Sequence, residues 1–336
     1  MKLLKKVMVA GLGSMGCRRL RLLKKLRPEL DLCGVDKDME RRTRAETDFG
    51  IRTYERISQA IQSEHPEAAV ISTSPLTHAS IISECLSVGL HVFTELNLVS
   101  DGYPENMALA QKKGVVLFLS STFLYRKETC YLIEQAQKSR SPLNYRYHVG
   151  QYLPDWHPWE SYQDYFIGDA RTNGCRELFA IELPWLLSAF GPVADIQVFR
   201  QKCLGLQISY DDSYMLLLRH KNGCQGSLCV DVVSRKAVRQ FEMYGEDLYL
   251  SWGGQPDTLE EWDIREKRNC PVSVYREVEH REGYAGFIIE NAYAEELAAF
   301  LNQVEHGASV PYGFAEDLET LQWIDRIEKM EVDKLC

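Results

Sequence analysis

The first 120 residues alternate short apolar runs with longer segments in which apolar residues recur every three or four positions. Runs of this length are typical of buried parallel strands, and the segments between them predict amphipathic helices, the later two over Ala79–Val88 and Tyr103–Lys113. This alternation predicts an α/β domain with a doubly wound parallel sheet over residues 1–122. The predicted strands are Lys6–Ala10, Leu30–Val35, Ala68–Ser72, His91–Thr94 and Val115–Ser120.

The pattern changes beyond about residue 121, where apolar and polar residues begin to alternate one by one. Such runs occur over Tyr214–Arg219, Gln225–Val233 and Val238–Tyr244, and Asn222-Gly223 between the first two is a hairpin signal. Helical periodicity returns near the carboxyl end. The sequence therefore predicts a second, α+β domain over residues 123–336, with an open, mostly antiparallel sheet. The carboxyl-terminal helical stripes are Tyr293, Leu297, Phe300, Leu301 and Val304, then Leu318, Leu321, Ile324 and Ile327.

The length, net charge and apolar content of the chain indicate which classes of binding partner to expect. The 336 residues are enough for two domains with cores of their own, and the net charge of −9 disfavours a nucleic acid. No uninterrupted apolar stretch reaches the roughly 18 residues that a membrane span requires, so we expect a cytoplasmic protein with no membrane partner.

The ten cysteines show no CxxC pair and no neighbouring His-x-x-x-His. Zinc sites and disulfide frameworks both depend on such clustering. We therefore predict no metal site, and we expect the cysteines to be buried thiols in a reducing compartment.

A glycine-rich turn directly follows the first predicted strand and opens the first predicted helix. In a GxGxxG turn the first glycine allows the tight turn, the second lets a pyrophosphate approach, and the third allows close helix packing. Asp36 lies 20 residues beyond Gly16, where a carboxylate would bind the adenosine ribose hydroxyls and repel a 2′-phosphate. We therefore predict NAD rather than NADP, with neighbouring Lys37 as the opposing feature; the alternative is an ordinary turn with a surface aspartate. The predicted loop ligands are Gly11, Leu12, Gly13, Ser14, Met15 and Gly16.

Over nearly its full length the chain resembles the glucose-fructose oxidoreductase and inositol dehydrogenase family (Gfo/Idh/MocA). The resemblance implies a Rossmann domain, an open-sheet domain, a nicotinamide cofactor and a sugar or polyol substrate. It also implies a homodimer or homotetramer formed through the outer face of the open sheet. The matching stretches are the glycine loop with Asp36, residues 73–78, residues 91–95, and residues 293–300 with their continuation over 311–323.

Two departures from the family pattern concern proton transfer. The family has a Glu-Lys-Pro tripeptide where this chain has Glu95-Leu96-Asn97, and an Asp and a His where alignment gives Glu177 and Ile181. Leucine and isoleucine cannot exchange a proton with a substrate hydroxyl, a step that contributes roughly 10²–10⁴ in rate. Either other residues supply the proton, or the chain has kept the cofactor site without the chemistry; related biliverdin reductases function without that lysine.

The segment over residues 152–165 is the most unusual stretch, rich in aromatic rings and carboxylates. We predict that Trp156 and Trp159 bind the face of a sugar ring. His157 is the candidate acid or base, with Asp155 or Glu160 orienting it, and Tyr165 is a further catalytic candidate. The alternative is a proline-braced loop whose aromatic residues fill a gap by packing.

Several other polar residues are candidate ligands or catalytic groups, and some of them have an alternative structural interpretation. Thr73, Ser74, His78 and Glu95 are predicted cofactor ligands, although His78 could cap a helix and Glu95 could be a surface acid. Glu160 and Arg126 are predicted substrate ligands, the alternative for Arg126 being an exposed cation at a helix start. Glu177 is a catalytic candidate if burial raises its pKa, and a solvated or salt-bridged glutamate otherwise. The basic residues over 18–27 indicate a solvated helix face, from which only Arg18 or Arg19 could approach a phosphate.

The leading hypothesis is an NAD(H)-dependent oxidoreductase that acts by hydride transfer on a sugar or sugar derivative, possibly nucleotide-linked, with nonstandard proton donors. One rival is a catalytically silent protein that binds or senses NAD and a sugar. Another is an enzyme that uses NAD in a redox-neutral reaction. A replacement acid near the substrate discriminates between them, since a silent binder needs none.

Overall fold

The computed structural model of the protein describes residues 3–157, 160–203, 205–281 and 288–330. The chain forms two compact units. One comprises the chain up to Thr122 together with Tyr293–Glu319, and the other comprises Phe123–Ala292 and the chain from Thr320 onward. The chain thus leaves the first unit after Thr122 and returns to it at Tyr293.

The first unit contains a six-stranded sheet in which every neighbouring pair is parallel, in the order β3-β2-β1-β4-β5-β6. The order reverses between β1 and β4, which is where sheets of this type bind ligands at the carboxyl ends of their strands. The strands are β1 Lys6–Ala10, β2 Asp31–Val35, β3 Arg52–Tyr54, β4 Ala68–Ile71, β5 His91–Thr94 and β6 Leu117–Leu119. The helices between them are α1 Ser14–Leu26, α2 Met39–Phe49, α3 Ile57–Glu64, α4 His78–Ser87 and α5 Tyr103–Lys113.

Burial on both faces explains the apolar character of these strands. The four residues of β4 are fully buried, as are three successive residues of β1. Phe93 of β5 and Phe118 of β6 stack with ring centroids 5.2 Å apart, and Phe300 meets each ring edge-on at 5.7 Å. Phe300 lies on the helix α8, Glu290–His306, so the predicted carboxyl-terminal stripe completes this core.

The second unit contains an eight-stranded sheet in the order β14-β13-β12-β11-β7-β10-β9-β8. All neighbouring pairs are antiparallel except β7 and β10, so the prediction of an open, mostly antiparallel sheet beside a Rossmann sheet is confirmed. The strands are β7 Asn144–Gly150, β8 Val193–Gln201, β9 Ser213–His220, β10 Gln225–Asp231, β11 Val238–Tyr244, β12 Tyr249–Trp252, β13 Leu259–Asp263 and β14 Arg268–Pro271. The remaining helices are α6 Lys127–Lys138, α7 Gly174–Phe190 and α9 Phe314–Lys329.

The two faces of this sheet differ because side chains alternate along each strand. Tyr145 of β7 stacks on Phe190 of α7 with ring centroids 4.3 Å apart, and Tyr147 meets Trp185 edge-on at 5.5 Å. On the opposite face, exposed apolar side chains lie on β8 and β9. These are Phe199, Met215 and Leu217, which are 48%, 55% and 54% exposed.

The predicted hairpin between β9 and β10 is confirmed, with Gly223 in the left-handed region at φ +90°. The expectation that the cysteines are buried is wrong for Cys130 and Cys203, which are exposed. Cys130 lies on the α6 helix and Cys203 lies in the loop after β8. Among the described residues, no helix combines the length and apolar character that crossing a bilayer requires.

Candidate functional site

Two glycines of the turn between β1 and α1 stand where no side chain fits. Gly11 has φ +88°, and a Cβ atom there would lie 2.4 Å from the carbonyl oxygen of Ser72. A Cβ atom on Gly16 would lie 1.7 Å from the carbonyl oxygen of Gly11. These contacts bring α1 against the end of β1, as the sequence predicts for a dinucleotide-binding turn.

Gly13 differs from its neighbours because the space beside it is open. The nearest atom to a Cβ placed there is Nη1 of Arg41, at 3.7 Å, and the backbone is in an ordinary extended conformation at φ −71°. No side chain caps the amino end of α1, and its first turn holds no acid. The amino end of α1, with open space beside Gly13, is therefore the type of helix start at which backbone N–H groups bind a pyrophosphate.

Asp36 follows β2 directly and is held in place by the backbone around it. Its Oδ2 accepts a hydrogen bond from the Leu12 N–H at 2.8 Å, and its Oδ1 accepts one from the Asp38 N–H at 2.9 Å. The guanidinium of Arg41 lies 3.8 Å from Oδ2. The carboxylate is thus fixed beside the glycine loop, in the arrangement that binding ribose hydroxyls requires.

The basic run of α1 is not the solvated face that the sequence suggests at its start. Arg18 is 3% exposed and Arg19 is fully buried. Arg19 donates from Nε and Nη2 to the two oxygens of Glu95, at 2.6 and 2.8 Å, and from Nη2 to Glu296 at 2.8 Å. Arg19 belongs to the basic run that the sequence predicts to be a solvated helix face, so its burial corrects that prediction, and its partner Glu296 could not be foreseen.

Glu95 directly follows β5 and has a 13% exposed side chain. Besides the two Arg19 contacts, its Oε1 accepts a hydrogen bond from the Ser72 hydroxyl at 3.2 Å. Ser72 is the residue whose carbonyl oxygen approaches Gly11. The carboxylate therefore lies at the same edge of the sheet as the glycine loop, and its role as a cofactor ligand stays a prediction.

His78 is 1% exposed, and both of its ring nitrogens have partners. Nδ1 lies 2.6 Å from Oδ1 of Asn97, and Nε2 lies 3.0 Å from the carbonyl oxygen of Thr73. Burial lowers the pKa of His78 despite these hydrogen bonds. The imidazole thus joins the 73–78 loop to the segment after β5. This is a structural role, and cofactor binding by His78 stays a prediction.

Thr73 and Ser74 lie in the loop that follows β4. The Thr73 hydroxyl is 2.8 Å from the hydroxyl of Thr77, and Ser74 is exposed just before a short 3₁₀ turn over Pro75–Thr77. Both residues are at the edge of the sheet to which the glycine loop belongs. Their predicted contact with the cofactor stays a prediction.

The aromatic segment of the second unit brings together several of the predicted catalytic residues. His157 Nδ1 lies 2.7 Å from Oε1 of Glu160, and the His157 ring stacks on Tyr165 with centroids 4.6 Å apart. Trp156 is half-buried and its Nε1 donates to the Gln151 carbonyl oxygen at 3.3 Å. Trp159 lies outside the described residues.

Tyr165 and Glu177 each carry a buried oxygen without a partner. Among the described residues, neither the Tyr165 hydroxyl nor Oε2 of Glu177 has a hydrogen-bond partner. Burial raises the pKa of Glu177 to about 7. Burial, and then the nearby Glu177 carboxyl, raise the pKa of Tyr165. Buried polar groups normally find partners, so this pair is the strongest candidate in the described second unit for contact with a substrate.

Glu177 lies in the first turn of α7 and Ile181 one turn later on the same face. Both residues are partly exposed. Leu96 in the first unit is also partly exposed. The two apolar replacements noted in the sequence are thus at accessible positions, and Glu177 is the ionisable residue beside one of them.

Arg126 is buried and its guanidinium is engaged by protein groups. Nε and Nη2 donate to Oε1 of Glu128 at 3.1 and 2.9 Å, and Nη2 donates to the Gly254 carbonyl oxygen at 2.8 Å. The guanidinium carbon lies 5.0 Å from the ring centroid of Trp252. This is not the exposed helix-start cation of the alternative interpretation, and substrate binding by Arg126 stays a prediction.

No group of three His, Cys, Asp or Glu side chains in the described part of the chain is arranged to hold a metal ion. Two clusters therefore remain from the sequence-predicted residues. One is the glycine loop with Asp36, Ser72 and Glu95 in the first unit. The other is His157, Glu160, Tyr165 and Glu177 in the second.

Comparison with known families identifies the first unit. Residues 5–121 match the family model described as "Oxidoreductase family, NAD-binding Rossmann fold" (GFO_IDH_MocA). Over these residues the match confirms the family resemblance, and its description confirms the prediction of an NAD-binding domain. A search of curated protein sequences finds no match to this chain.

Solved structures share the fold of the whole chain at low identity. GenD2 from gentamicin A biosynthesis, in complex with NAD, is 18% identical with a TM-score of 0.77, over 98% of this chain and 95% of that one. The WlbA dehydrogenase from Chromobacterium violaceum, in complex with NADH and UDP-GlcNAcA, is 16% identical with a TM-score of 0.76, over 97% and 93%. Biliverdin reductase from Synechocystis sp. PCC 6803, with biliverdin and NADP+, is 17% identical with a TM-score of 0.75, over 96% and 97%.

Proposed function

We propose, starting from residues 5–121 as a domain of the Gfo/Idh/MocA oxidoreductase family, that the protein is an NAD(H)-dependent oxidoreductase acting on a sugar derivative by hydride transfer. Dehydrogenases of this fold include one whose structure holds NADH and a UDP-linked sugar. A nucleotide-linked sugar is accordingly the substrate class that we propose first.

The first unit has the residue types that a dinucleotide cofactor requires. The backbone N–H groups at the start of α1 and the open space beside Gly13 would hold the pyrophosphate, and Asp36 would hold the adenosine ribose. The bound nicotinamide would accept or supply the hydride. Asp36 favours NAD over NADP because its carboxylate repels a 2′-phosphate, although Arg41 lies close enough to Asp36 to moderate that preference.

The observation that carries the enzyme proposal is the pair of unsatisfied oxygens on Tyr165 and Glu177. Oxidation of an alcohol requires a group that takes the hydroxyl proton, and the reverse reaction requires one that supplies it. A carboxyl group with a pKa near 7 can do either at neutral pH. We assign proton transfer to Glu177, with Tyr165 as the neighbouring hydrogen-bond donor and the His157–Glu160 pair beside the Tyr165 ring.

A catalytically silent NAD- and sugar-binding protein is the second candidate, and Leu96 and Ile181 favour it. Such a protein would need no group to exchange a proton. Oε2 of Glu177 is buried without a partner among the described residues, and an unmade hydrogen bond of this kind costs about 1–3 kcal/mol unless a substrate supplies the partner. The Glu177 arrangement therefore supports an enzyme over a silent binder.

The test is a titration with NADH and NADPH followed by a turnover panel. We expect NADH to bind at least about tenfold more tightly than NADPH, because the 2′-phosphate meets a carboxylate. Turnover is then followed by NADH absorbance with UDP-N-acetylglucosamine, its uronic acid, and free sugars and polyols. Tighter binding of NADPH would overturn the cofactor assignment, and NADH binding without turnover of any sugar would favour the silent binder.

We further propose that the protein is a homodimer or homotetramer formed through the outer face of the second sheet. Phe199, Met215 and Leu217 form an exposed apolar strip there, with Phe199 opposite Met215 in the strand register. Met215→Asp with Leu217→Asp is expected to shift the molar mass in sedimentation velocity to that of one chain. Glu260→Lys on β13 is the control; an unchanged mass in the double variant would contradict this interface.

A further inference from the structure

Arg19 is a fully buried cation that binds two carboxylates, and these two carboxylates are not equivalent. Glu95 and Glu296 both accept a hydrogen bond from Nη2, each at 2.8 Å. The Glu296 side chain has no exposure, whereas that of Glu95 is 13% exposed. The difference in access suggests that one carboxylate holds the fold and the other has a further partner.

The number of filled hydrogen-bond acceptor sites distinguishes the Glu95 carboxylate from the Glu296 carboxylate. An ionised carboxylate has about four acceptor sites. Glu296 has all four filled, by Nη2 of Arg19 and by three groups that follow β6: the Ser120 hydroxyl at 3.0 Å, the Ser121 N–H at 2.6 Å and the Thr122 hydroxyl at 3.3 Å. Nothing is left on Glu296 for another molecule.

Glu95 has three acceptor sites filled and one open. Its Oε1 accepts from Nε of Arg19 and from the Ser72 hydroxyl, and its Oε2 accepts from Nη2 of Arg19. The remaining site is on Oε2 of the carboxylate that solvent reaches. Because solvent reaches this carboxylate, a bound molecule can supply the donor for that site.

The topology says which part of a dinucleotide would supply that donor. The pyrophosphate cradle lies at β1, and Asp36 for the adenosine ribose lies at the end of β2 on one side of it. Glu95 directly follows β5, which lies on the other side of β1 beyond β4. A dinucleotide bound across this point of the sheet extends its nicotinamide half in that direction.

We propose that Arg19 is a positioning residue that holds Glu95 as a hydrogen-bond acceptor for the nicotinamide half of the cofactor. The bidentate fork fixes the plane of the carboxylate, so that Oε2 presents its open acceptor site at the sheet edge. The proposal rests on the proposed function for the presence of the cofactor. Because Arg19 is fully buried, it would act on the cofactor only through Glu95.

The test compares dinucleotide binding with binding of ADP, which lacks the nicotinamide riboside. Arg19→Lys keeps the charge but loses the fork, and Glu95→Gln keeps an acceptor but loses the ion pair. We expect each variant to raise the Kd for NADH about tenfold and to leave the Kd for ADP within about twofold. The double variant is expected to be no weaker than either single one, because both changes remove the same contact.

Glu296→Gln is the matched control, since it removes the other carboxylate from the same guanidinium. It is expected to lower the Tm while leaving the Kd for NADH within about twofold of the wild type. If Arg19→Lys does not fold, the Kd for NADH in Glu95→Gln and in Glu296→Gln still tests whether Glu95 contacts the cofactor.

Different binding results would contradict the role of Arg19, the contact with the nicotinamide half and the proposed function. Equal weakening of NADH and ADP by Arg19→Lys would show that Arg19 acts on the pyrophosphate cradle, and would overturn the proposal. An unchanged Kd for NADH in Glu95→Gln would overturn it as well. A wild-type protein that binds ADP and NADH equally would contradict any contact with the nicotinamide half, whereas one that binds neither would contradict the proposed function itself.

Discussion

Glu177→Gln is expected to lower the rate of hydride transfer by about 10²- to 10⁴-fold, the usual contribution of a general acid or base. The substitution keeps the shape of the side chain and removes its proton exchange. NADH affinity is expected to stay within about twofold, because the cofactor ligands belong to the first unit. Single-turnover NADH oxidation, with the Kd for NADH measured separately, distinguishes the chemical step from binding.

The same variant is expected to abolish a pH dependence. With a pKa of about 7, Glu177 is largely protonated below that pH and ionised above it. Reduction of a carbonyl substrate needs the acid, so its rate should fall as the pH rises through about 7. Oxidation of the alcohol needs the carboxylate and should rise over the same range. Both limbs should be absent in Glu177→Gln.

Stability gives an independent readout of the same carboxyl group. Its pKa rises from 4.5 to about 7 on folding because burial disfavours the ionised form. The stabilisation of the neutral form is complete below about pH 4.5 and is lost as the pH rises through about 7. A shift of this size corresponds to roughly 3 kcal/mol, so Glu177→Gln should raise the Tm at pH 8 and change it little at pH 4.

Two comparisons make this prediction specific. Glu182→Gln, five residues later on α7, removes a carboxylate that Arg239, Tyr147 and Trp185 already satisfy. It should lower the Tm at both pH values and leave the pH profile of turnover in place. If Glu177→Gln turns over normally and His157→Ala does not, proton transfer belongs to the imidazole instead.

The strands and helices could largely be predicted because their pattern is local. Four apolar residues in a row required a strand buried on both faces, and β4 is buried as expected. The glycine loop and Asp36 were equally accessible, since their meaning depends on spacing within 30 residues. The hydrogen bond between Asp36 and the Leu12 N–H is the physical expression of that spacing.

The parts that could not be predicted depend on residues distant in the sequence. Arg19 meets Glu296 across 277 positions, and no local pattern announces that an arginine in a basic run will be buried between two carboxylates. Glu177 was recognised as a position by resemblance. The missing partner of its Oε2 could not be predicted, because it depends on which side chains of the folded unit lie near the start of α7.

Gly13→Ala is expected to fold normally and to lose dinucleotide binding, whereas Gly16→Ala is expected to lose stability first. A methyl group on Gly13 has an ordinary φ and 3.7 Å to its nearest neighbour, so the free protein accommodates it. The methyl group occupies the space through which a pyrophosphate reaches the N–H groups of α1. Losing hydrogen bonds to a charged group costs about 1.5–3 kcal/mol, which is roughly a 10- to 150-fold rise in the Kd for NADH.

Gly16→Ala acts differently because its methyl group would lie 1.7 Å from the Gly11 carbonyl oxygen. Relief requires a backbone shift between β1 and α1, at a cost of about 1–3 kcal/mol or more. Gly205→Ala, with no atom within 4 Å and no positive φ, is the control that should change neither Tm nor Kd. Normal NADH binding by Gly13→Ala would mean that the pyrophosphate does not approach the backbone there. The proposed function would then need a different cofactor site.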